Sequence, residues 1–310
     1  MSQTDHAPRT EAIPGVRLRW WTELPLILLV YGAYSAGRLL ARGDVSTAVD
    51  HGVALLRAEQ ALHLNLEHPL NRLFTREPWL GVPADFWYAS LHYVVTPAIL
   101  IWIFRRRAHL YRAARTWLMT STLIGLIGFT MVPTCPPRLL AAGHGFVDTM
   151  AQYSSYGWWG GAASAPKGLG GMTNQYAAMP SLHVGWALWC GVMLWRNGRS
   201  PYAKAVGVAY PLITTIVVMG TANHYFFDAL AGVAVMGAGL LLTKPVTGLA
   251  ARIKDRVDAV LANGSQAGPS ATLSSNVSGE CQTPQGERFP RQRKSATSHD
   301  TGDGAAAPAR

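Results

Sequence analysis

Two short stretches of the sequence combine histidine with other polar residues at the edge of apolar segments. They are AMPSLH, residues 178–183, and NHYFFDALAG, residues 223–232. In the second, His224 and Asp228 stand at positions i and i+4, which makes them neighbours on one face of a helix. A carboxylate at that spacing can accept the imidazole N–H, fix its tautomer and leave the other ring nitrogen for nucleophilic attack. The spacing therefore suits covalent catalysis by a histidine.

Two further residues, His183 and Arg138, extend this interpretation. His183 could protonate a departing oxygen, and the planar guanidinium of Arg138 suits the oxygens of a phosphate group. A histidine nucleophile, a histidine acid, an orienting aspartate and an arginine together describe phosphoryl transfer through a phosphohistidine.

Plainer interpretations of these histidines stay open. A single histidine at a membrane interface is usually a solvated or hydrogen-bonded side chain, and two histidines with an aspartate can bind a metal ion. No further Cys, Glu or Asp stands at ligand spacing near them, so we predict no metal site and no cofactor. His92 and His144 have no such neighbours in the sequence, and we interpret both as structural.

The composition indicates that these residues lie in a membrane protein. Of the 310 residues, 49% are hydrophobic and 14% are charged, and the mean hydropathy is +0.12. A soluble domain carries about 25% charged residues. The formal charge of +10 comes from short basic clusters between apolar runs, so membrane topology explains it and we predict no nucleic-acid partner. The three cysteines are scattered and suggest neither a zinc site nor a disulfide framework.

The apolar segments predict an all-α membrane protein, a six-transmembrane-helix bundle. A membrane helix needs about 20 mostly apolar residues, and six segments meet that requirement, some of them marginally. They are residues 20–41, 84–104, 116–132, 182–195, 202–221 and 225–243.

The arginines predict the orientation of that bundle. Five arginines lie within residues 105–115, whereas the long loop 133–181 carries only Arg138 and Lys167 as basic residues. Basic loops face the cytoplasm, so we expect both termini inside and the histidines at the outer face. We therefore predict a multi-pass integral membrane protein, in the plasma membrane if the protein is bacterial. The sequence does not indicate an oligomeric state.

The remaining segments complete the predicted organisation. Residues 1–19 form a cytoplasmic N-terminal segment, 20–261 the membrane domain, and 262–310 a polar tail that should be disordered. Apolar residues at helical spacing within the first outer loop, 42–83, predict an amphipathic helix on the membrane surface. Packing of that helix against the bundle is an equally open alternative.

With both motifs described, the sequence resembles the type 2 phosphatidic acid phosphatase superfamily. AMPSLH is similar to the family's second motif, Pro-Ser-Gly-His, in the Ser-Leu-His variant typical of the inositol phosphotransferase branch, which includes inositol phosphorylceramide synthases. NHYFFDALAG is similar to the third motif, His-x-x-x-Asp. The resemblance implies a lipid phosphate or phospholipid as substrate, with membrane lipids around it.

The resemblance also implies roles for individual residues. His224 becomes the nucleophile, Asp228 its orienting partner, His183 the general acid and Ser181 a phosphate ligand. The first motif is incomplete, because Arg138 in PPRLL is its remaining match and a methionine stands at the lysine position. Water as acceptor would make a phosphatase, and an alcohol would make a phosphotransferase.

Other functions remain alternatives. A transporter or lipid-binding membrane protein is one, although transport sites usually lie near the bilayer midplane and these residues lie at one edge. An inactive relative is another, because the first motif is incomplete. Asn174, Gln175, Tyr176 and Lys167 could line an acceptor site, or could belong to an ordinary polar loop.

Overall fold

The chain folds into helices joined by loops in a computed structural model, which describes residues 20–40, 44–159 and 174–266. These residues contain no β-strand, although an isolated bridge pairs Thr134 with Ala177. The prediction of an all-α fold is confirmed. The helices are α1 (Trp20–Leu40), α2 (Val45–Ala61), α3 (Glu67–Arg76), α4 (Pro78–Phe86), a π-helical turn (Trp87–Leu91), α5 (His92–Arg106), α6 (Ala108–Met131), two 3-10 turns (Pro137–Leu139 and Ala142–His144), α7 (Thr149–Gln152), α8 (Leu182–Asn197), α9 (Pro201–Gly220) and α10 (Phe226–Gln266).

The chain divides into two compact units, Met1–Ala259 and Val260–Arg310. Of the second unit, the structure describes residues 260–266, which are helical. The predicted N-terminal segment, 1–19, lies outside the described residues, as does the predicted tail beyond residue 266.

Three helical stretches of the described chain are long and apolar enough to cross a membrane. They are Pro78–Arg106, Pro201–Gly220 and Phe226–Ala262, which contain the second predicted span and most of the fifth and the sixth. They indicate a membrane protein. The other predicted spans lie in α1, α6 and α8 and do not meet this measure, so it does not support six crossings. Helix α8 has 16 residues, about 24 Å of helix, which is short of a hydrocarbon core about 30 Å thick.

Glycines allow α8 to pack closely against α9 and α10. A Cβ atom on Gly191 of α8 would lie 2.3 Å from the carbonyl oxygen of Gly207 in α9. A Cβ atom on Gly232 of α10 would lie 2.2 Å from the carbonyl oxygen of Ser181, the residue before α8. Both distances are far shorter than a normal contact, so a larger residue would push the helices apart. The start of α8 is thereby fixed against the first turns of α10.

Two buried tryptophans form hydrogen bonds between helices. The indole N–H of Trp117 in α6 donates to the carbonyl oxygen of Met236 in α10, at 2.7 Å. The indole N–H of Trp189 in α8 donates to the carbonyl oxygen of Ala114 in α6, at 3.1 Å. Each bond satisfies a donor that would be costly to bury alone. Helices α6, α8 and α10 are thus connected in the interior of the protein.

Helix α2, from the predicted outer loop, packs onto other parts of the chain. The backbone N–H of Cys135 donates to the carbonyl oxygen of Ala48, at 2.9 Å. Imidazole Nδ1 of His51 lies 2.8 Å from the carbonyl oxygen of Pro133. Because α2 is tied in this way to the loop after α6, the structure favours the packing alternative over a helix lying freely on the membrane.

Candidate active site

His224 is held in one tautomer by the backbone. Its Nδ1 lies 2.8 Å from the carbonyl oxygen of Ala178, and a carbonyl can only accept a hydrogen bond. Nδ1 therefore carries the proton, and in the neutral ring Nε2 keeps its lone pair. Nε2 is buried and has no hydrogen-bond partner among the described residues. The ring thus has the protonation pattern that a histidine nucleophile needs.

Asp228 lies next to this ring but also caps the helix that carries it. Its Oδ2 is 3.4 Å from Nδ1 of His224 and accepts a hydrogen bond of 2.9 Å from the backbone N–H of Tyr225. Helix α10 begins at Phe226, so His224 precedes the helix instead of lying on it. The expected neighbours are present, but the carbonyl of Ala178 lies nearer to the imidazole N–H than the carboxylate does.

His183 lies on the first turn of α8, facing His224. The centroids of the two imidazole rings are 5.7 Å apart. Reacting atoms approach to about 3–3.5 Å before a bond forms, so both rings can contact one phosphoryl group. The ring of Tyr88 stacks on His183 with centroids 4.4 Å apart and planes inclined by 26°.

His92, interpreted from the sequence as structural, also lies at this site. Its ring meets His183 edge to face, at 4.5 Å and 80°. The π-helical turn, Trp87–Leu91, directly precedes His92, and such turns often mark functional sites. Tyr88 and His92 stand four positions apart, and that spacing is the signal by which the sequence could have revealed them. His144 does not join this group, and its carbonyl oxygen accepts from His68 Nε2 at 2.7 Å.

Arg138 is buried and already paired. Its Nη1 lies 2.9 Å from Oδ2 of Asp148, and its Nε donates to Oδ1 of Asn223 at 2.9 Å. The backbone N–H of Arg138 donates to the carbonyl oxygen of Ala222. These bonds place Arg138 beside the residue before His224, but part of its positive charge is balanced by Asp148. Less of its charge is therefore available to an anion than the sequence predicts.

Ser181 is buried at the start of α8, where it caps the helix. Its Oγ accepts from the backbone N–H of Val184 at 3.5 Å, and its own backbone N–H donates to the carbonyl oxygen of Asp228 at 2.9 Å. The cap uses this oxygen only as an acceptor, so its O–H can still donate to a phosphate oxygen.

The segment before α8 helps to hold His224 in place. Asn174 is buried, and its Oδ1 accepts from the backbone N–H of Tyr176. The carbonyl oxygen of Tyr176 accepts from the backbone N–H of Thr134 at 2.7 Å. This pairing holds the chain near Ala178, whose carbonyl binds His224. Lys167, also considered for an acceptor site, lies outside the described residues.

Two cavities meet at His92. One, of about 10 Å³, is lined by Tyr88, His92 and His183 among others. It has room for about one water molecule. The other is an apolar cleft of about 390 Å³ between α1, α5, α6 and α8. His92 and Trp186 line the cleft, as does Arg115, which pairs with Glu23 of α1. The cleft therefore reaches from the neighbourhood of the histidines into the helix bundle.

Two buried glutamates, Glu59 and Glu67, lie close to Asp228, and the sequence interpretation did not consider them. Oε1 of Glu59 accepts from the backbone N–H of Phe227 at 2.6 Å. Oε2 of Glu59 and both carboxyl oxygens of Glu67 are buried, and the two carboxyl groups interact with each other. Burial raises the pKa of Glu59 to about 9 and also raises the pKa of Glu67. The signal in the sequence was the position of Glu59, three residues after Leu56 on the buried face of α2.

No group of three or more His, Cys, Asp or Glu within the described ranges is arranged to hold a metal ion. The site is instead built from paired imidazoles, a carboxylate and a buried arginine. A family model described as the PAP2 superfamily matches residues 53–242, more than half of the chain, and this match covers every candidate site residue above. No curated protein and no solved structure matches the chain.

Proposed function

The chain belongs to the PAP2 superfamily, and from that premise we propose that it is an integral membrane lipid-phosphate phosphatase or phosphotransferase. The observation that carries this proposal is the placement of His224 and His183. Their rings are 5.7 Å apart, and the carbonyl of Ala178 leaves the lone pair of His224 on Nε2. One ring can therefore attack a phosphorus atom while the other serves the departing oxygen.

In the first step, Nε2 of His224 forms a bond to phosphorus as the bond between phosphorus and the lipid oxygen breaks. A protonated His183 gives its proton to that oxygen, which leaves as an alcohol. The imidazole of His224 becomes positively charged in the transition state. Asp228, 3.4 Å from Nδ1, stabilises this charge, and Ala178 holds the ring in place.

In the second step, His183 takes a proton from the acceptor, and the acceptor oxygen attacks phosphorus as the bond to Nε2 breaks. With water as acceptor, the products are inorganic phosphate and the free enzyme. With an alcohol as acceptor, the phosphoryl group is transferred. When the substrate is a phosphodiester, the histidine intermediate carries a substituted phosphoryl group.

The apolar cleft supports a lipid substrate over a soluble one. Its volume of about 390 Å³ is within the range of small-molecule sites, about 300–1,000 Å³. His92 lines both this cleft and the small cavity at His183. A hydrocarbon chain in the cleft would hold the attached phosphate near the two imidazoles.

The ion pair of Arg138 favours the phosphotransferase alternative on a phosphodiester. A phosphomonoester carries a charge of about −1.5 to −2 at pH 7, whereas a diester carries a single negative charge. Asp148 balances part of the charge of Arg138, and the first motif lacks its lysine. Fewer available cations suit the less charged substrate, which agrees with the resemblance to inositol phosphotransferases.

The membrane arrangement belongs to the same proposal. We place α1, α6 and α8 in the membrane beside the three long apolar stretches, which gives six spans within residues 20–261. Residues 1–19 and 262–310 are then cytoplasmic, and the candidate site faces outward. The packing of α8 against α9 and α10 supports a shared bundle, since the two neighbours of α8 are both among the long apolar stretches.

The test measures phosphate release and head-group exchange by the purified protein in lipid nanodiscs. Phosphatidic acid and a phospholipid supplied with myo-inositol are the two substrates, and each reaction is run with and without EDTA. We expect turnover by the wild type and none above background by His224→Ala. His144→Ala removes a histidine outside the site and is the matched control.

Each outcome bears on the proposal. Release from phosphatidic acid supports the phosphatase, and inositol-dependent exchange supports the phosphotransferase. Turnover that persists in His224→Ala would overturn the assigned nucleophile. Loss of wild-type turnover on addition of EDTA would contradict the metal-independent mechanism.

A further inference from the structure

Glu59, a residue of α2, caps the N-terminal end of α10. The first N–H groups of an α-helix have no partner within the helix, and a Ser, Thr, Asp or Asn before the helix usually accepts one of them. The residue before α10 is Tyr225, whose hydroxyl instead donates to the carbonyl oxygen of Cys135 at 3.0 Å. The acceptor comes from another helix, because Oε1 of Glu59 lies 2.6 Å from the backbone N of Phe227.

Asp228 satisfies a second N–H at the same helix end. Its Oδ2 accepts from the backbone N–H of Tyr225, as the acidic residue of a capping box does. Two carboxyl groups therefore fix the start of α10, one from the candidate active site and one from α2. Any movement of this helix end would move both Asp228 and the adjoining His224.

We propose that Glu59 is a positioning residue of the candidate active site, which caps α10 from outside and thereby holds Asp228 and His224 in register with Ala178. This inference rests on the proposed function for its catalytic consequence. The cap itself rests on the contact between Glu59 and Phe227. Glu67 does not contact α10 in this way, but it is buried beside Glu59 and interacts with it electrostatically.

The surroundings of Glu59 favour a protonated pair. The titratable groups that face it are Glu67, Asp228 and Tyr225, and His68 adjoins Glu67. Burial and the like charges of Glu67 and Asp228 raise the pKa of Glu59 to about 9. The pair therefore keeps a proton at neutral pH and loses it in alkaline solution, where the new charge repels Asp228.

The sign of the resulting pH dependence follows from proton binding. A glutamate ionises near pH 4.5 when it is exposed, and Glu59 ionises near 9 when it is buried in the folded protein. The folded state binds the proton more tightly between these values, so its stability falls as pH rises through that window. Activity should fall along an alkaline limb near pH 9.

The experiment compares Glu59→Gln with Glu59→Leu in the full-length protein. Glutamine keeps an oxygen that can accept from Phe227 but cannot ionise, and leucine keeps the size but loses the acceptor. We expect Glu59→Leu to lower kcat at least tenfold at pH 7 with KM changed less than threefold. We expect Glu59→Gln to retain most of the turnover at pH 7 and to lose the alkaline limb.

Asp50→Asn, which neutralises an exposed carboxylate on the same helix, is the matched control and should keep the limb. Equal kcat in wild type and Glu59→Leu would overturn the positioning role. An unchanged alkaline limb in Glu59→Gln would overturn the assignment of that limb to this pair.

A second measurement separates this inference from the proposed function. Amide hydrogen exchange of residues 225–232 reports on the cap whether or not the protein turns over a lipid phosphate. Faster exchange in Glu59→Leu than in Glu59→Gln supports the cap, and equal exchange in the two contradicts it. If Glu59→Leu does not fold, the decision rests on Glu59→Gln, whose melting temperature should fall less steeply than that of the wild type between pH 5 and 9, as expected for loss of a group with a raised pKa. An unchanged slope would overturn the proposal.

Discussion

His224 and His183 face each other across 5.7 Å, yet the protein holds the two rings in different ways. His224 is buried, and a backbone carbonyl 2.8 Å from Nδ1 fixes its proton. His183 is half-buried between aromatic rings, with Tyr88 stacked on its face and His92 against its edge. A backbone carbonyl binds the first histidine, and aromatic rings pack against the second.

The difference matches the two tasks proposed for the rings. A nucleophile needs one nitrogen permanently deprotonated, so a fixed proton on the other nitrogen is an advantage. A general acid and base must gain and lose its proton in each cycle. Ring stacking orients an imidazole without tying its orientation to one protonation state. The geometry is compatible with the proposed roles, a nucleophile in the second of the two sequence motifs and an acid in the first.

The largest expected effects come from removing each histidine in turn and changing the leaving group. His224→Ala should abolish turnover of both phosphatidic acid and p-nitrophenyl phosphate, because no nucleophile remains. His183→Ala should lower kcat for phosphatidic acid by about 10²–10⁴-fold, the usual contribution of an acid–base catalyst. For p-nitrophenyl phosphate its first step should be much less affected, because nitrophenolate leaves without a proton.

The two histidines do not have separate roles if His183→Ala and His224→Ala respond alike. Steady-state kcat and the burst of nitrophenol are measured with both substrates. A burst in His183→Ala that is absent in His224→Ala supports the assignment. A burst in His224→Ala alone would exchange the two roles.

A smaller effect is expected for Asp228→Asn. Where a carboxylate alone fixes the tautomer of a catalytic histidine, its amide variant loses about 10⁴-fold in kcat. In this protein Ala178 already fixes the tautomer, and asparagine can still accept from the N–H of Tyr225. We therefore expect a loss of only about 10–100-fold, by analogy with a partial loss of charge stabilisation. A loss near 10⁴-fold would mean that the carbonyl of Ala178 does not hold the ring in solution.

The sequence predicted the helices and the main histidines but not what orients them. All six predicted spans fall largely within helices, because hydrophobic runs report on local structure. The contacts of Ala178 with His224 and of His92 with His183 join residues far apart in the chain, and no local pattern encodes them. The same is true of Glu59 and Phe227, which are 168 positions apart. The ion pair of Arg138 was missed for a different reason, because the partner, Asp148, lies on a loop without periodicity.

The smallest effect tests the ring packing around His183. Tyr88→Leu removes the stacked ring, and such contacts contribute about 0.5–1.5 kcal/mol, so we expect kcat to fall about two- to tenfold. Tyr88→Phe keeps the ring and should lose less activity than Tyr88→Leu, which makes it the matched control.

A comparison of the two reactions distinguishes orientation of His183 from simple loss of packing. If Tyr88 orients His183, Tyr88→Leu should slow turnover of phosphatidic acid more than the nitrophenol burst, because the burst hardly needs the acid. Equal slowing of both reactions would indicate that the substitution disturbs His224 as well. The two histidines would then be coupled through their shared surroundings, and the different contacts of the two rings would no longer explain their separate roles.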